Sequence, residues 1–130
     1  MAEGVPFWEG TFEKDSRGGR LLGNRCNTCG KIYFPKAQFC FDCFNKEMKE
    51  IPLSPLGKLY SYTIGRMAST HFLPPYAVGL IDLPEGVRVF APLKMKENTP
   101  FKVGMDVEVV IEELWREEDK KVIGYKFKPL

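Results

Sequence analysis

Histidine is almost missing from this 130-residue sequence: His71 is the only one, and the four cysteines all fall between positions 26 and 43. Nucleophilic catalysis by cysteine needs a free thiol beside an imidazole or another base. With the cysteines better assigned elsewhere, as argued below, His71 has no thiol to serve. There is no Gly-rich phosphate loop, and the acidic residues are too dispersed to yield a carboxylate pair for hydrolysis. No apolar run approaches the roughly 20 residues of a membrane-spanning helix, so no membrane partner is expected. Excess charge is also lacking. Nineteen basic residues against 17 acidic ones leave a net +2, which alone argues neither for nor strongly against nucleic acid. The start, Met1-Ala2-Glu3-Gly4-Val5-Pro6, has no basic segment followed by an apolar one. The chain is therefore expected to be soluble and cytoplasmic, with its thiols reduced.

What is present is enough for one domain with a real core. A chain of this length buries roughly two-thirds of its unfolded surface, and 44% of its residues are hydrophobic. The cysteines form two pairs, Cys26-Asn27-Thr28-Cys29 and Cys40-Phe41-Asp42-Cys43. Two intervening residues let both thiolates of a pair turn to one point, and two such pairs make the tetrahedral four-sulfur shell of a structural Zn²⁺ site. No ligand position stays open for a substrate, so the metal reads as a staple. Iron in the same four sulfurs remains the alternative. The ten residues between Cys29 and Cys40 are fewer than the separation often found in such ribbons, which calls for a compact turn. Gly30 suits the left-handed backbone that follows a knuckle, and Asn45 is the residue that tolerates it after the second pair. Phe39, Phe41 and Phe44 are expected to shield the metal and pack on the neighbouring domain.

Three parts follow along the chain: residues 1–19, a helix and linker; 20–50, a zinc ribbon; and 51–130, a barrel. Pro6 suits a first helical turn, and Phe7, Trp8, Thr11 and Phe12 share one face by three-to-four spacing, which predicts a short helix from Pro6 to Lys14. The face of Phe7, Trp8 and Phe12 is apolar enough to pack on the same chain or to dock on a partner. Strands are predicted from Lys58 to Gly65, Tyr76 to Leu83, Val87 to Leu93 and Met105 to Leu114, and around Ile123, Tyr125 and Phe127. The Tyr76 to Leu83 run is nearly continuous in apolar residues, as in a strand buried on both sides. Arg116 to Lys121 reads as a charged, solvated turn. Five strands without a helix between them suggest a small closed barrel, of which the OB-fold is the natural form.

Several motifs agree in combination: Phe7-Trp8-Glu9-Gly10, Arg25-Cys26-x-x-Cys29-Gly30, Tyr33-Phe34-Pro35, Cys40-x-x-Cys43, Gly57-Lys58-Leu59-Tyr60-Ser61-Tyr62-Thr63, Pro75 to Leu83, Gly86-Val87-Arg88 and Val103-Gly104-Met105-Asp106-Val107. Over nearly its whole length the chain resembles the acyl-CoA-associated family with an N-terminal helix, a rubredoxin-like zinc ribbon and an OB-fold, catalogued as a domain of unknown function. It departs in lacking the Pro and trailing Gly usual at the second knuckle, and in a longer linker from Lys14 to Arg20. The resemblance implies a mostly β fold. It also implies a small non-catalytic subunit in a hetero-oligomer with a thiolase-like catalytic subunit, which helps to hold the complex or completes its acyl-CoA site. Some members resemble the second subunit of benzoylsuccinyl-CoA thiolase. Structural Zn²⁺ and acyl-CoA, the latter shared with the partner, are the expected ligands.

The loop between two barrel strands, Arg66 to Tyr76, offers a cation, hydroxyls, an imidazole and apolar groups. Arg66, Ser69, Thr70, His71 and Phe72 are therefore candidates for acyl-CoA or partner contact. The competing class is a nucleic-acid-binding module, since zinc ribbons and OB-folds both serve there. Asp106, Glu108, Glu112, Glu113, Glu117 and Glu118 crowd the last hairpin with acid and oppose it, so no nucleic acid is expected as partner.

Overall fold

The computed structural model describes residues 5–6, 10–14, 19–67, 74–95 and 100–130. In chain order the strands are β1 (Val5–Pro6), β2 (Phe12–Glu13), β3 (Arg20–Cys26), β4 (Ile32–Tyr33), β5 (Met48–Pro52), β6 (Leu56–Gly65), β7 (Tyr76–Asp82), β8 (Arg88–Leu93), β9 (Asp106–Glu117) and β10 (Lys120–Pro129). No helix occurs among the described residues, and hence none long and apolar enough to cross a membrane.

Period-two patterning builds the larger sheet. Ala77, Gly79 and Ile81 of β7 face inward, as do Val89, Ala91 and Leu93 of β8 and Val107, Val109 and Ile111 of β9. Successive strand residues point to opposite faces, so each set lands on one side. The strands β6, β7 and β8 pair antiparallel in sequence, β10 joins β8 in parallel at Phe127 and Leu93, and β9 pairs antiparallel with both β10 and β6. That ring of five closes the barrel in the OB-fold manner and leaves no open edge within it. Leu59, Ile81, Val89, Val107 and Phe127 are fully buried inside.

The smaller sheet holds β3 at its centre, with β2, β4 and β5 paired antiparallel to it. Its inner residue Leu21, together with Leu53 just beyond β5, belongs to the same buried cluster as the barrel interior. Leu53 N–H donates to Leu21 C=O at 2.8 Å, and Val109 N–H to Pro55 C=O at 2.8 Å. The two sheets therefore share one core.

The helix predicted from Pro6 to Lys14 is not formed. Residues 7–9, including Phe7 and Trp8, lie outside the described residues, but the flanks are extended. Val5 and Pro6 run parallel to Val122 and Ile123 of β10, and Phe12 pairs with Leu21. Gly10 has φ +80°, a left-handed value incompatible with a continuing helix. A helix of nine residues has little stability of its own, and backbone ladders to distant strands outweigh it. Two smaller departures concern the last hairpin. Only Glu118 and Asp119 turn, and the flanking charged residues continue the strands. A bulge between Val122 and Ile123 shifts the register with β9, so that Val122 is buried while the next residue, Ile123, packs half-buried against the core.

Gly19 sits where the linker enters β3 against β9. A methyl group built on it would overlap Cγ1 of Ile111 and lie 3.1 Å from the Glu13 carbonyl oxygen. Gly19→Ala is expected to destabilise the fold by about 1–3 kcal/mol through overpacking. In an Ile111→Ala background the added cost should fall, because the nearest clashing atom, Cγ1, is gone, but not vanish, because the Glu13 carbonyl oxygen and the Cβ of residue 111 remain at 3.1 and 3.2 Å. Denaturant titration of the four proteins of this cycle measures the coupling.

Candidate metal centre

The four cysteines come from two turns presented by the small sheet. Cys26 ends β3, and the chain turns back at Thr28 and Cys29 into β4. Gly30 N–H donates to Cys26 C=O at 3.0 Å and Cys26 N–H to Lys31 C=O at 2.9 Å. The second turn repeats this arrangement. Phe44 N–H donates to Cys40 C=O at 2.8 Å and Cys40 N–H to Asn45 C=O at 2.9 Å. Each turn needs a left-handed residue after its second cysteine. Gly30 takes φ +80° in the first, and Phe44 takes φ 61° in the second. The sequence reading put that burden on Asn45. Asn45 instead caps the turn, its Oδ1 accepting from Glu47 N–H at 3.0 Å while its Nδ2 reaches Thr28 Oγ1 across the two knuckles.

The Sγ atoms of Cys26, Cys29, Cys40 and Cys43 all lie within 4.8 Å of one another, with Cys26–Cys43 and Cys29–Cys40 at 3.4 Å and Cys29–Cys43 at 3.9 Å. Four sulfurs placed about 2.3 Å from one ion are about 3.8 Å apart, so the cluster fits a single tetrahedral metal ion. Cys26 and Cys40 are buried, and Cys29 and Cys43 are exposed. The thiols are unequal. Tyr33 Oη and then the Cys43 and Asp42 N–H groups pull Cys40 down to about 6. The Cys29 and Thr28 N–H groups turned toward its sulfur lower Cys26. Cys29 has the Lys31 N–H to favour its thiolate, but its contact with Cys40 and some desolvation of its sulfur raise it. Cys43 has the Asn45 N–H, yet contact with the Cys26 sulfur, some desolvation of its own sulfur, and the Cys40 and Cys29 sulfurs push it up to about 12. A cation bound among them would ionise all four and release protons.

Two supporting side chains were not legible in the sequence. Tyr33 Oη lies 3.4 Å from Cys40 Sγ and accepts from Phe41 N–H at 2.9 Å, which fixes the second knuckle to β4. Buried Asn24 uses its whole amide on one residue: Nδ2 donates to Ala37 C=O at 2.7 Å and Oδ1 accepts from Ala37 N–H at 3.1 Å. It ties the segment between the knuckles to β3. Both contacts join residues 7 to 13 positions apart, a separation that no local pattern reveals.

Most of the remaining sequence candidates lie outside the described residues. Arg66 is exposed at the end of β6, whereas Ser69, Thr70, His71 and Phe72 lie outside the described residues, as do Phe7 and Trp8. Phe12 is half-buried and packs on the shared core. The expectation that Phe39, Phe41 and Phe44 pack on the barrel is overturned. Phe41 is 59% and Phe44 72% exposed, and the three rings meet each other and Tyr33 instead.

Comparison with known proteins agrees with this architecture. Residues 17–49 match the model for the ChsH2 rubredoxin-like zinc ribbon domain, and residues 50–112 match that for the ChsH2 C-terminal OB-fold domain. A DUF35 domain-containing scaffold protein of Methanocaldococcus jannaschii is 38% identical over 85% of this chain and 82% of its own length. The benzoylsuccinyl-CoA thiolase subunit BbsA of Thauera aromatica is 36% identical over 89% of this chain and 81% of its own. A solved structure described as an Ltp2-ChsH2(DUF35) aldolase superposes with a TM-score of 0.71 at 25% identity, covering 85% of this chain and 84% of that one. The chain belongs to the DUF35/ChsH2 family of zinc-ribbon and OB-fold proteins.

Tyr33→Phe should weaken Zn²⁺ binding roughly tenfold, the usual scale for losing a group that orients a ligand, in competition with a chromophoric chelator. Phe44→Gly should raise stability by about 1 kcal/mol, because glycine takes the left-handed conformation without a Cβ penalty. Thermal melting of the zinc-loaded protein reads this second effect.

Proposed function

We propose that this member of the DUF35/ChsH2 family is a non-catalytic zinc-binding subunit that accompanies a thiolase-like acyl-CoA enzyme. The observation that carries the reading is the meeting of all four cysteines at one point. Every thiol in the chain is then a metal ligand, and the nucleophile of a thiolase has to come from elsewhere. When bound, a Zn²⁺ ion supplies structural rigidity here. The chain's own part is to hold the knuckles in place through Tyr33 and Asn24 and to present the surface around them.

The relatives support the partner class. One is named as a subunit of benzoylsuccinyl-CoA thiolase, another as a scaffold protein, and a third belongs to an aldolase assembly. On this reading the ribbon spans residues 20–50 and the OB-fold 51–130, with 1–19 preceding them. The Arg66, Ser69, Thr70, His71 and Phe72 loop and the Phe7, Trp8 and Phe12 face are the surfaces offered to the partner or to its acyl-CoA. A hetero-oligomer in the cytoplasm, with acyl-CoA shared between subunits, is the corresponding assembly.

Co-expression with a thiolase-like catalytic chain, followed by a CoA-release assay, tests this. The account expects co-purification, no turnover from this chain alone, and loss of most activity when the catalytic chain is prepared without it. Full activity from either polypeptide by itself contradicts the assignment.

A further inference from the structure

The four-sulfur shell is lopsided. Each knuckle hides its first cysteine, Cys26 or Cys40, and exposes its second, Cys29 or Cys43. The first cysteine of each turn is held where the chain leaves the strand or segment below, and the second stands out on the turn. The chain's one histidine, His71, lies far from the ribbon in sequence, so every ligand in the shell is a thiolate. A thiolate is the form of cysteine that oxidants attack, and exposure decides which thiolate they reach. An all-sulfur shell with one open side is therefore a site for oxidation as well as for a metal.

The geometry also supplies a resolving thiol. Each exposed sulfur has a buried sulfur of the opposite knuckle beside it: Cys29 lies 3.4 Å from Cys40, and Cys43 lies 3.4 Å from Cys26. A disulfide is about 2 Å long, so a small approach joins either couple. The knuckles have little else to resist that approach. Between residues 27 and 47 only Cys40 is buried, and no packed core fixes the sulfurs where they stand.

We propose that the cysteine cluster is a peroxide-sensitive switch, in which oxidation at exposed Cys29 and Cys43 trades the metal staple for two disulfides across the knuckles, Cys29–Cys40 and Cys26–Cys43. The exposed thiolate attacks the O–O bond of hydrogen peroxide, becomes a sulfenic acid and releases hydroxide. The buried thiolate of the opposite knuckle then attacks that sulfur, forms the S–S bond and expels a second hydroxide. Each disulfide thus takes two electrons from two thiolates and reduces one peroxide to two hydroxides. Neither sulfur of a disulfide carries the negative charge that holds Zn²⁺, so the shell loses its grip on the ion, whose oxidation state does not change. A dithiol reductant reverses both bonds. Because both disulfides run between the knuckles, the oxidised ribbon stays joined, whereas disulfides inside each C-x-x-C pair would free one knuckle from the other. Nothing in this chemistry requires a partner chain.

The test treats the zinc-loaded full chain with hydrogen peroxide while a chromophoric chelator reports free Zn²⁺. The metal-free chain, treated in parallel, shows how fast unligated thiols oxidise. Release of the bound Zn²⁺ is expected, with recovery of the zinc-loaded form after dithiothreitol and added Zn²⁺. Trypsin then reads the pairing by mass spectrometry. Cleavage after Arg25, Lys31, Lys36 and Lys46 puts Cys26 and Cys29 in one peptide and Cys40 and Cys43 in another. Cross-knuckle bonds leave these two peptides linked, and fragmentation assigns Cys29 to Cys40 and Cys26 to Cys43. A double variant, Cys29→His with Cys43→His, keeps a two-sulfur, two-nitrogen shell of a kind that holds Zn²⁺ and removes both exposed thiolates. It should release the metal at least about tenfold more slowly. Zinc retained while the metal-free chain oxidises, disulfides confined to each C-x-x-C pair, sulfinic acids in place of disulfides, or a zinc-loaded double variant as sensitive as the natural chain would each overturn the proposal. Should the double variant fail to hold zinc, the release and the disulfide map of the natural chain decide the matter without it.

Discussion

The attraction of four thiolates for one cation is the interaction on which the ribbon depends. Between residues 27 and 47 the one buried side chain is Cys40. Phe41 and Phe44, which a larger domain would have turned inward, are open to solvent. With so little apolar area to bury, this stretch cannot offset the entropy of ordering some twenty residues, and metal binding supplies what the missing core does not. The hydrogen bonds of the knuckles are therefore consequences of the sulfur geometry as much as supports for it. Ion pairs such as Lys31 with Asp42 at 3.1 Å are exposed and add little.

The barrel stands on different ground. Its closure is a matter of backbone pairing, and its interior is packed by Leu59, Ile81, Val89, Val107 and Phe127. The ribbon is joined to it by its base, where Leu21 and Leu53 enter the barrel's cluster and Asn24 fastens the segment above. One end of the small sheet thus belongs to the barrel and the other to the metal. Phe34 and Tyr125 meet edge-on across the seam, and Phe41 and Phe44 on the second knuckle are exposed.

The parts of the structure that could be read in advance are those set by short-range rules. Two residues between cysteines bring their sulfurs together, and alternation at Val107, Val109 and Ile111 fixes which face of β9 is inside. The parts that were misread are those set by distant partners. Phe7, Trp8, Thr11 and Phe12 satisfy a helical spacing, but Phe12 finds Leu21 and Val5 finds Val122, and no pattern within the first 14 residues contains those partners. Tyr33 and Asn24 act across the same kind of gap. Phe44 illustrates a different limit. Residue preference pointed to Asn45, yet the position of the left-handed residue is fixed by the turn, directly after the second cysteine as at Gly30, whichever side chain stands there. The apolar run of β7 predicts a strand buried on both sides, but only its inner face is buried; Val78 and Leu80 on the outer face are half-buried.

The central claim is that the metal organises the knuckles alone, while the barrel keeps its own stability. Amide hydrogen exchange on the zinc-loaded and the chelated protein tests it directly. The account predicts that removing the metal exposes the Gly30, Cys40 and Phe44 amides, which donate to Cys26, Asn45 and Cys40 carbonyls. The Leu59 and Val109 amides, bonded to Met105 and Pro55, should keep their protection. Loss of protection at Leu59 and Val109 in step with the knuckles, or no change at Gly30 and Phe44, would contradict it.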